Sequence, residues 1–385
     1  MLAPCSAPLW PRPEVLVREL ASDGPGPLIL ISSGGALRAL ARLRDALPGV
    51  SVHYALKACS EESLLAALAE AGCGFELASA GELPALARIP VLPERLLCGN
   101  PVRALAQTAA LHAAGVRLFA VDSVEEVART AQAAPGARVL LRVAVPGSTP
   151  DTRAWWPMGD TFGARQDDVP AIATAAQAQG VEVAGVCFHV GSHCVDPQAW
   201  VRGVAAAAEA IAVLQAAGHP ARVLSLGGGF PAEIESRCGP ASSIEPIGAT
   251  LAPALATLPR EVELLAEPGR YLVASAGLLL TRVTAVRTHR SQRWLQLDCG
   301  IHNGLIESVR GVPYRLRPLR GSGERVAWRI AGPSCDGADV LPGEWLLPAG
   351  INEGDWLAVE GAAAYAQSRA STFNGLPPPV TRIVD

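Results

Sequence analysis

The sequence predicts an α/β fold, a (β/α)8 barrel followed by a C-terminal, largely antiparallel β domain. Two observations carry that expectation. Between residues 50 and 267, eight short apolar runs of β type alternate with alanine-rich helical runs. From about residue 275 the rhythm changes to strand-like runs joined by turns. Eight strands separated by helices fit a closed parallel barrel better than an open doubly wound sheet. Strands joined by turns fit an antiparallel sheet. At 385 residues, half of them hydrophobic, the chain is long enough for both.

The strand candidates are 50–57, 74–79, 95–99, 117–121, 138–144, 184–190, 222–226 and 262–267. Between them lie stretches such as 60–71 (SEESLLAALAEA), 102–114 (VRALAQTAALHAA) and 124–133 (VEEVARTAQA). Acidic first turns and apolar residues at helical spacing mark these as helices. The insert 145–168, with Trp155, Trp156, Pro157 and Gly159, reads as a loop after the fifth strand. Beyond the barrel, LLLTRVTAVRTH, RWLQLDCG, RVAWRIAG and DWLAVEG read as strands. Residues 27–32 (PLILIS) either begin the β domain or lead into the first helix. The expected organisation is a cofactor-binding barrel over 25–274 and a β domain over 275–385, with 1–24 available to pack on the latter.

Composition excludes several classes. With 32 Lys+Arg against 36 Asp+Glu the net charge is -4, which gives no footprint for nucleic acid or an anionic membrane. Nine cysteines, an odd number without regular spacing or a CxxC pair, make neither a disulfide framework nor a structural zinc site, so no metal is expected. The N-terminus lacks a basic region followed by a long apolar run, so no signal peptide is read. The apolar stretch 203–217 contains Glu209 and is expected to fall short of a membrane span. A soluble, cytoplasmic protein is expected.

Active sites in a barrel of this kind gather at the C-terminal ends of the strands. HYALKAC (53–59) places Lys57 at such an end. A lysine there can rest its stem on apolar neighbours with its ammonium in water, or it can be kept nucleophilic for a Schiff base. FHVGSHC (188–194) puts His189 at the end of the sixth run, where a satisfied core histidine is the plain alternative. LGGGF (226–230) follows the seventh, and its backbone amides can approach a phosphate closely. AEPGRY (266–271) supplies Glu267, Gly269 and Arg270 after the eighth. GPSCDGAD (332–339) sets Cys335 and Asp336 in a glycine-flanked loop of the β domain. Each piece alone has an ordinary structural explanation, but four of them point into one barrel mouth.

YALKA, FHVGS, LGGGF, EPGRY, GPSCDGAD and Tyr365 followed by STFNG (371–375), in this order, resemble the fold-type III pyridoxal-phosphate decarboxylases. That group includes the ornithine, diaminopimelate and biosynthetic arginine decarboxylases, built on an alanine racemase-like barrel. The resemblance spans about residues 25–380, and CDG with YAQSRASTFNG is most similar to the ornithine branch. It implies pyridoxal 5'-phosphate as cofactor, held covalently by Lys57. Glu267 would pair with the pyridine nitrogen and His189 would stack on the ring. Ser192, Gly228, Gly229, Gly269, Arg270 and Tyr365 would hold the phosphate side, and Glu76 in GFELAS matches an acidic position near the cofactor. Cys335 and Asp336 would reach the neighbouring subunit's site across a homodimer. There Cys335 would return a proton after decarboxylation, and Asp336 would accept the distal ammonium of a diamino acid.

Two departures bear on the substrate. The family carries a basic residue before the Phe-Gly of the loop after strand five, where this chain has Thr161 before Phe162. The segment 297–319 (LDCGIHNGLIESVRGVPYRLRPL) matches the substrate-specificity region but has Glu307 and Arg310 where ornithine enzymes carry an aspartate. Arg310 is either a solvated charge or a receptor for a substrate carboxylate. The resemblance implies decarboxylation of an L-diamino acid, ornithine first and lysine second, and so a place in polyamine biosynthesis. A carboxylate-bearing amine, such as a siderophore precursor, a carboxylated polyamine or diaminopimelate, stays open as the alternative. So does a catalytically dead regulatory homologue, against which the retained Lys57, His189, Glu267, Arg270 and Cys335 argue.

Overall fold

The computed structural model describes residues 26–146, 154–156, 158, 160–234, 242–321 and 323–384. They form two compact units. One holds the described residues of 41–231 and 243–271, the other those of 1–40, 232–242 and 272–385. The expected packing of 1–24 lies outside the described residues.

Strand β1 (Leu28–Ile31) belongs to the second unit and helix α1 (Ser33–Ala46) follows it. The first unit continues through β2 (Val50–Ala55), α2 (Glu62–Glu70), β3 (Gly74–Leu77), β4 (Leu96–Cys98), α3 (Leu105–Ala113), β5 (Leu118–Val121), α4 (Val124–Ala133) and β6 (Arg138–Arg142). Next come β7 (Ala154–Trp156), α5 (Val169–Ala178), β8 (Glu182–Cys187), β9 (Ser192–Cys194) and α6 (Pro197–Ala216). It ends with β10 (Val223–Ser225), α7 (Glu245–Leu255) and β11 (Glu263–Ala266). Strands β2, β3, β4, β5, β6, β8, β10 and β11 close a parallel barrel in that order, β11 pairing back to β2. These are the eight expected runs. Ala120, Leu140 and Cys187 pack together across β5, β6 and β8, and their strand neighbours Phe119, Val139, Leu141 and Val186 are buried as well, as strands covered on both faces require.

Three local features differ from the sequence expectation. Part of the insert after β6 is strand: β7 pairs antiparallel with β9, Trp156 opposite Ser192. Pairing with a partner some forty residues away leaves no local signature, which is why a loop was expected there. Residues 147–153, Pro157 and Gly159 lie outside the described residues. Between β3 and β4 the chain makes a 3-10 turn, Ala80–Leu86, in place of an α-helix, because Pro84 lacks the amide that a longer helix needs. Helix α6 is 20 residues long, so by length and composition alone it could cross a membrane. Here its apolar face is buried instead, Trp200, Val204, Ala207, Ile211 and Leu214 included.

Trp200 organises one side of the barrel mouth. Its ring stacks on Phe230 at 4.3 Å and meets Phe188 edge-on at 6.4 Å. Phe188 precedes His189, and Phe230 closes the glycine loop. One buried indole therefore fixes two segments that carry candidate site residues.

The second unit is a mixed sheet of β1, β12 (Gly277–His289), β13 (Gln292–Leu297), β14 (Arg315–Pro318), β15 (Arg325–Ala331), β16 (Trp345–Pro348), β17 (Trp356–Glu360) and β18 (Val380–Ile383). Most pairs are antiparallel, but β13 with β15 and β1 with β18 are parallel. A parallel neighbour needs a long crossover, and residues 298–324 provide one between β13 and β15. Leu28, Leu30, Leu278, Leu280 and Ala358 form a core cluster. Leu278 and Leu280 reach it by the period-two alternation of a strand.

Candidate active site

The C-terminal ends of the barrel strands gather the expected residues. Lys57 sits in a 3-10 turn, Leu56–Ala58, directly after β2. Its Nζ donates to Glu76 Oε2 at 2.5 Å. Glu76 lies on β3, is 1% exposed, and forms an ion pair with that ammonium.

Glu267 follows β11, and its Oε1 accepts a hydrogen bond from Ser225 Oγ at 2.5 Å. A Cβ on Gly99 would lie 2.9 Å from Glu267 Oε2 and 2.9 Å from Glu76 Oε1. The two carboxylates thus converge on one small space. Burial first, and then the charge of Glu76, push the Glu267 carboxyl up to about 7, against the pull of Ser225, Lys57 and Arg142. Glu82, whose Oε2 accepts from the Ala78 amide at 2.6 Å, is also raised, chiefly by burial.

His189 stands two residues beyond β8. Burial, reinforced by Arg142 and Lys57, holds its imidazole down to about 3. Its Nδ1 accepts from the Gly191 amide at 2.9 Å, so the neutral ring carries its proton on Nε2. That nitrogen is 3.3 Å from where a Cβ of Gly228 would stand. An uncharged, flat ring therefore faces the glycine loop.

The loop itself is set by two left-handed glycines, Gly227 at φ +65° and Gly229 at φ +100°. A Cβ on Gly229 would be 2.2 Å from Gly191 O, and one on Gly228 would be 2.7 Å from Glu267 O. Only glycine permits this approach. Arg270 is 4% exposed, and its Nε donates to Ser192 Oγ at 3.2 Å. Buried Gly269 lies between Glu267 and Arg270 in the same turn. The amide of Cys194 donates to Gly229 O at 2.8 Å, tying the Ser192 strand to the loop. An amine, a raised carboxyl, a neutral imidazole, and a glycine cradle beside a guanidinium form a chemically complete donor set. They fit an aldehyde cofactor that carries a basic ring nitrogen and a phosphate arm.

The remaining expected residues lie in the sheet unit. Cys335 is exposed, with left-handed backbone at φ +55°. Asp336 Oδ2 is 2.9 Å from His302 Nε2. The Ala338 amide and then His302 hold the Asp336 carboxyl below the usual carboxylate range. Buried Asp339 locks this loop, accepting from Ile301 N, Ser334 N and Ser334 Oγ at 2.7, 3.0 and 2.6 Å. Tyr365 has φ +66°. Arg310 is exposed and ends the 3-10 turn Ile306–Arg310. Glu307, by contrast, is 2% exposed and accepts from Arg369 Nη1 at 3.1 Å and Tyr314 Oη at 3.3 Å. It fastens the turn internally. In the barrel, Arg142 stands over the Phe162 ring at 5.4 Å, so strand β6 supplies a cation next to the loop where Thr161 replaces a basic residue.

Four residues of these clusters escaped the sequence reading. Arg142 closes its strand much as Lys57 does. Ser225 is the one polar residue of β10, just before the glycines. Glu82 and His302 carry no local pattern beyond being polar next to a motif.

Comparison with known proteins agrees with this geometry. Residues 35–274 match the model of the pyridoxal-dependent decarboxylase family, pyridoxal binding domain. The ornithine decarboxylase of Rattus norvegicus is 30% identical over 381 residues, covering 93% of this chain and 80% of that protein. The lysine/ornithine decarboxylase of Selenomonas ruminantium is 30% identical over 373 residues, covering 94% and 90%. The crystal structure of the Vibrio vulnificus lysine/ornithine decarboxylase complexed with cadaverine superposes with a TM-score of 0.87 at 26% identity, covering 97% of this chain and 98% of that one. With its barrel matched to the family model and most of its length to these relatives, the chain belongs to the pyridoxal-dependent decarboxylases.

Proposed function

We propose that this protein decarboxylates an L-diamino acid, ornithine first and lysine second, to the corresponding diamine with pyridoxal 5'-phosphate. The observation that carries the reading is the convergence, at one barrel mouth, of the Lys57 amine, the Glu267 carboxyl, the neutral His189 ring and the Gly227–Gly229 cradle beside Arg270. The relatives named above, decarboxylases of ornithine and lysine, favour a diamino acid over a carboxylate-bearing amine. When bound, the cofactor supplies an electron sink for the pair left behind as carbon dioxide departs.

The chain's own residues then have separable tasks. Lys57 Nζ donates to Glu76, which holds the amine at the strand end where it would meet the cofactor's aldehyde. Glu267 would hold the ring nitrogen and favour positive charge there. His189, uncharged, would cover the ring without competing for that charge. Ser192, the glycine loop, Gly269, Arg270 and Tyr365 would grip the phosphate side. Cys335 Sγ would supply the proton that takes the place of the departed carbon dioxide, and Asp336 would receive the distal ammonium. We assign both to the partner's site in a homodimer. We also assign the protein to the cytoplasm and to polyamine biosynthesis.

The test is carbon dioxide release from a panel of ornithine, lysine, diaminopimelate and carboxylated polyamines. Turnover of ornithine or lysine well above the others is expected. Turnover confined to carboxylate-bearing amines would overturn the substrate assignment and give Arg310 a carboxylate to bind.

A further inference from the structure

We propose that Ser225 is a positioning residue that orients Glu267 and directs its exchangeable proton to Oε2, the oxygen turned away from the strand end. This rests on the function proposed above only in identifying what Glu267 faces. The geometry is independent of it.

Ser225 is the last residue of β10, fully buried between Leu224 and Leu226. A buried hydroxyl has one proton to give and lone pairs to fill. The Gly227 amide donates to Ser225 Oγ at 3.1 Å. An amide N–H cannot accept, so the serine proton cannot point there. It points at Glu267 Oε1, 2.5 Å away. The Glu267 amide in turn donates to Gly227 O at 2.8 Å. Three hydrogen bonds thus close a ring through Ser225, Gly227 and Glu267, and the hydroxyl has no freedom to turn round.

The consequence is directional. With Oε1 already accepting a proton that cannot rotate away, any proton on Glu267 must sit on Oε2. That oxygen faces the space beside Gly99 and Glu76, where a ring nitrogen would meet it. Lys57 from the end of β2, Glu76 from β3, Arg142 from β6 and Cys187 from β8 also act electrostatically on Glu267. Ser225 differs in reaching it through a fixed hydrogen bond that favours the ionised form. Because Gly227 opens the glycine cradle, the same hydroxyl also sets the loop against the carboxylate.

The test compares wild type, Ser225→Ala, Ser225→Cys and Ser225→Thr. Apo-protein is titrated with pyridoxal phosphate, the pH dependence of the bound cofactor's absorbance is followed, and thermal unfolding checks the fold. A lost hydrogen bond to a charged group is expected to weaken cofactor binding about ten-fold and to raise the spectral midpoint by about one pH unit in the alanine variant. Ser225→Thr, which keeps the hydroxyl, should restore both. A merely structural role would lower the unfolding temperature and leave the midpoint in place, which overturns the proposal. If the alanine variant does not fold, the cysteine variant decides, since a weak S–H donor must move the midpoint the same way. If wild type takes up no cofactor, the functional reading itself fails. If wild type loads normally and the variants match it, only the role of Ser225 fails.

Discussion

At Lys57 the amine is 2.5 Å from Glu76, and both stand at the ends of adjacent barrel strands. Borohydride reduction of the loaded protein followed by peptide mapping should therefore place the adduct on Lys57. An adduct elsewhere, or none, contradicts the assignment. Glu267→Gln keeps the shape but removes the charge that would hold a protonated ring nitrogen. Cofactor binding should survive within a few-fold while turnover falls by roughly two orders of magnitude or more. Loss within a few-fold would make Glu267 structural. Lys57, His189 and Glu267 were legible because all three stand at or just past the C-terminal ends of barrel strands, where residues with ordinary explanations taken singly point into one mouth. Ser225 and Arg142 were not, since a serine before glycines or an arginine at a strand end is ordinary, and their importance comes from neighbours on other strands.

The elements hold these residues through buried groups that local sequence does not advertise. Trp200 touches Phe188 and Phe230, so Trp200→Ala should cost about 3–5 kcal/mol of stability and weaken cofactor binding. Unchanged binding in a folded variant would show that the two segments are held elsewhere. His53, on β2, is an independent probe. Burial, followed by Arg95, holds its ring down to about 4 from 6.5. The unfolded chain therefore takes up a proton below pH 6.5 that the folded chain refuses. The stabilisation is complete above pH 6.5 and is lost as pH falls toward 4. His53→Gln should flatten the acid side of the urea-denaturation profile by up to about 1.4 kcal/mol per pH unit. An unchanged slope would mean that His53 is protonated in the fold. Strand existence followed from apolar runs and turn residues, whereas the β7–β9 ribbon and the two parallel pairs of the sheet did not. Pairing partners are chosen across the fold, and no window of sequence contains both.

On the scale of the whole molecule, the residues that would do the chemistry are divided between two units of the chain. Lys57, His189 and Glu267 belong to the barrel, and Cys335 and Asp336 to the sheet. Under the proposed homodimer each site takes Lys57 from one chain and the Cys335 loop from the other. Homodimers of Lys57→Ala or of Cys335→Ala then have two defective sites and should not turn over normally. When the two variants are mixed and subunits exchange, a heterodimer carries one doubly damaged site and one intact site. Unbiased pairing makes about half of all dimers mixed, so roughly a quarter of wild-type activity should return, because a two-fold dimer has two equivalent sites. Differential tags establish that exchange has occurred. With exchange established, activity that stays at the level of the separate variants would mean that the Cys335 loop serves the site of its own chain.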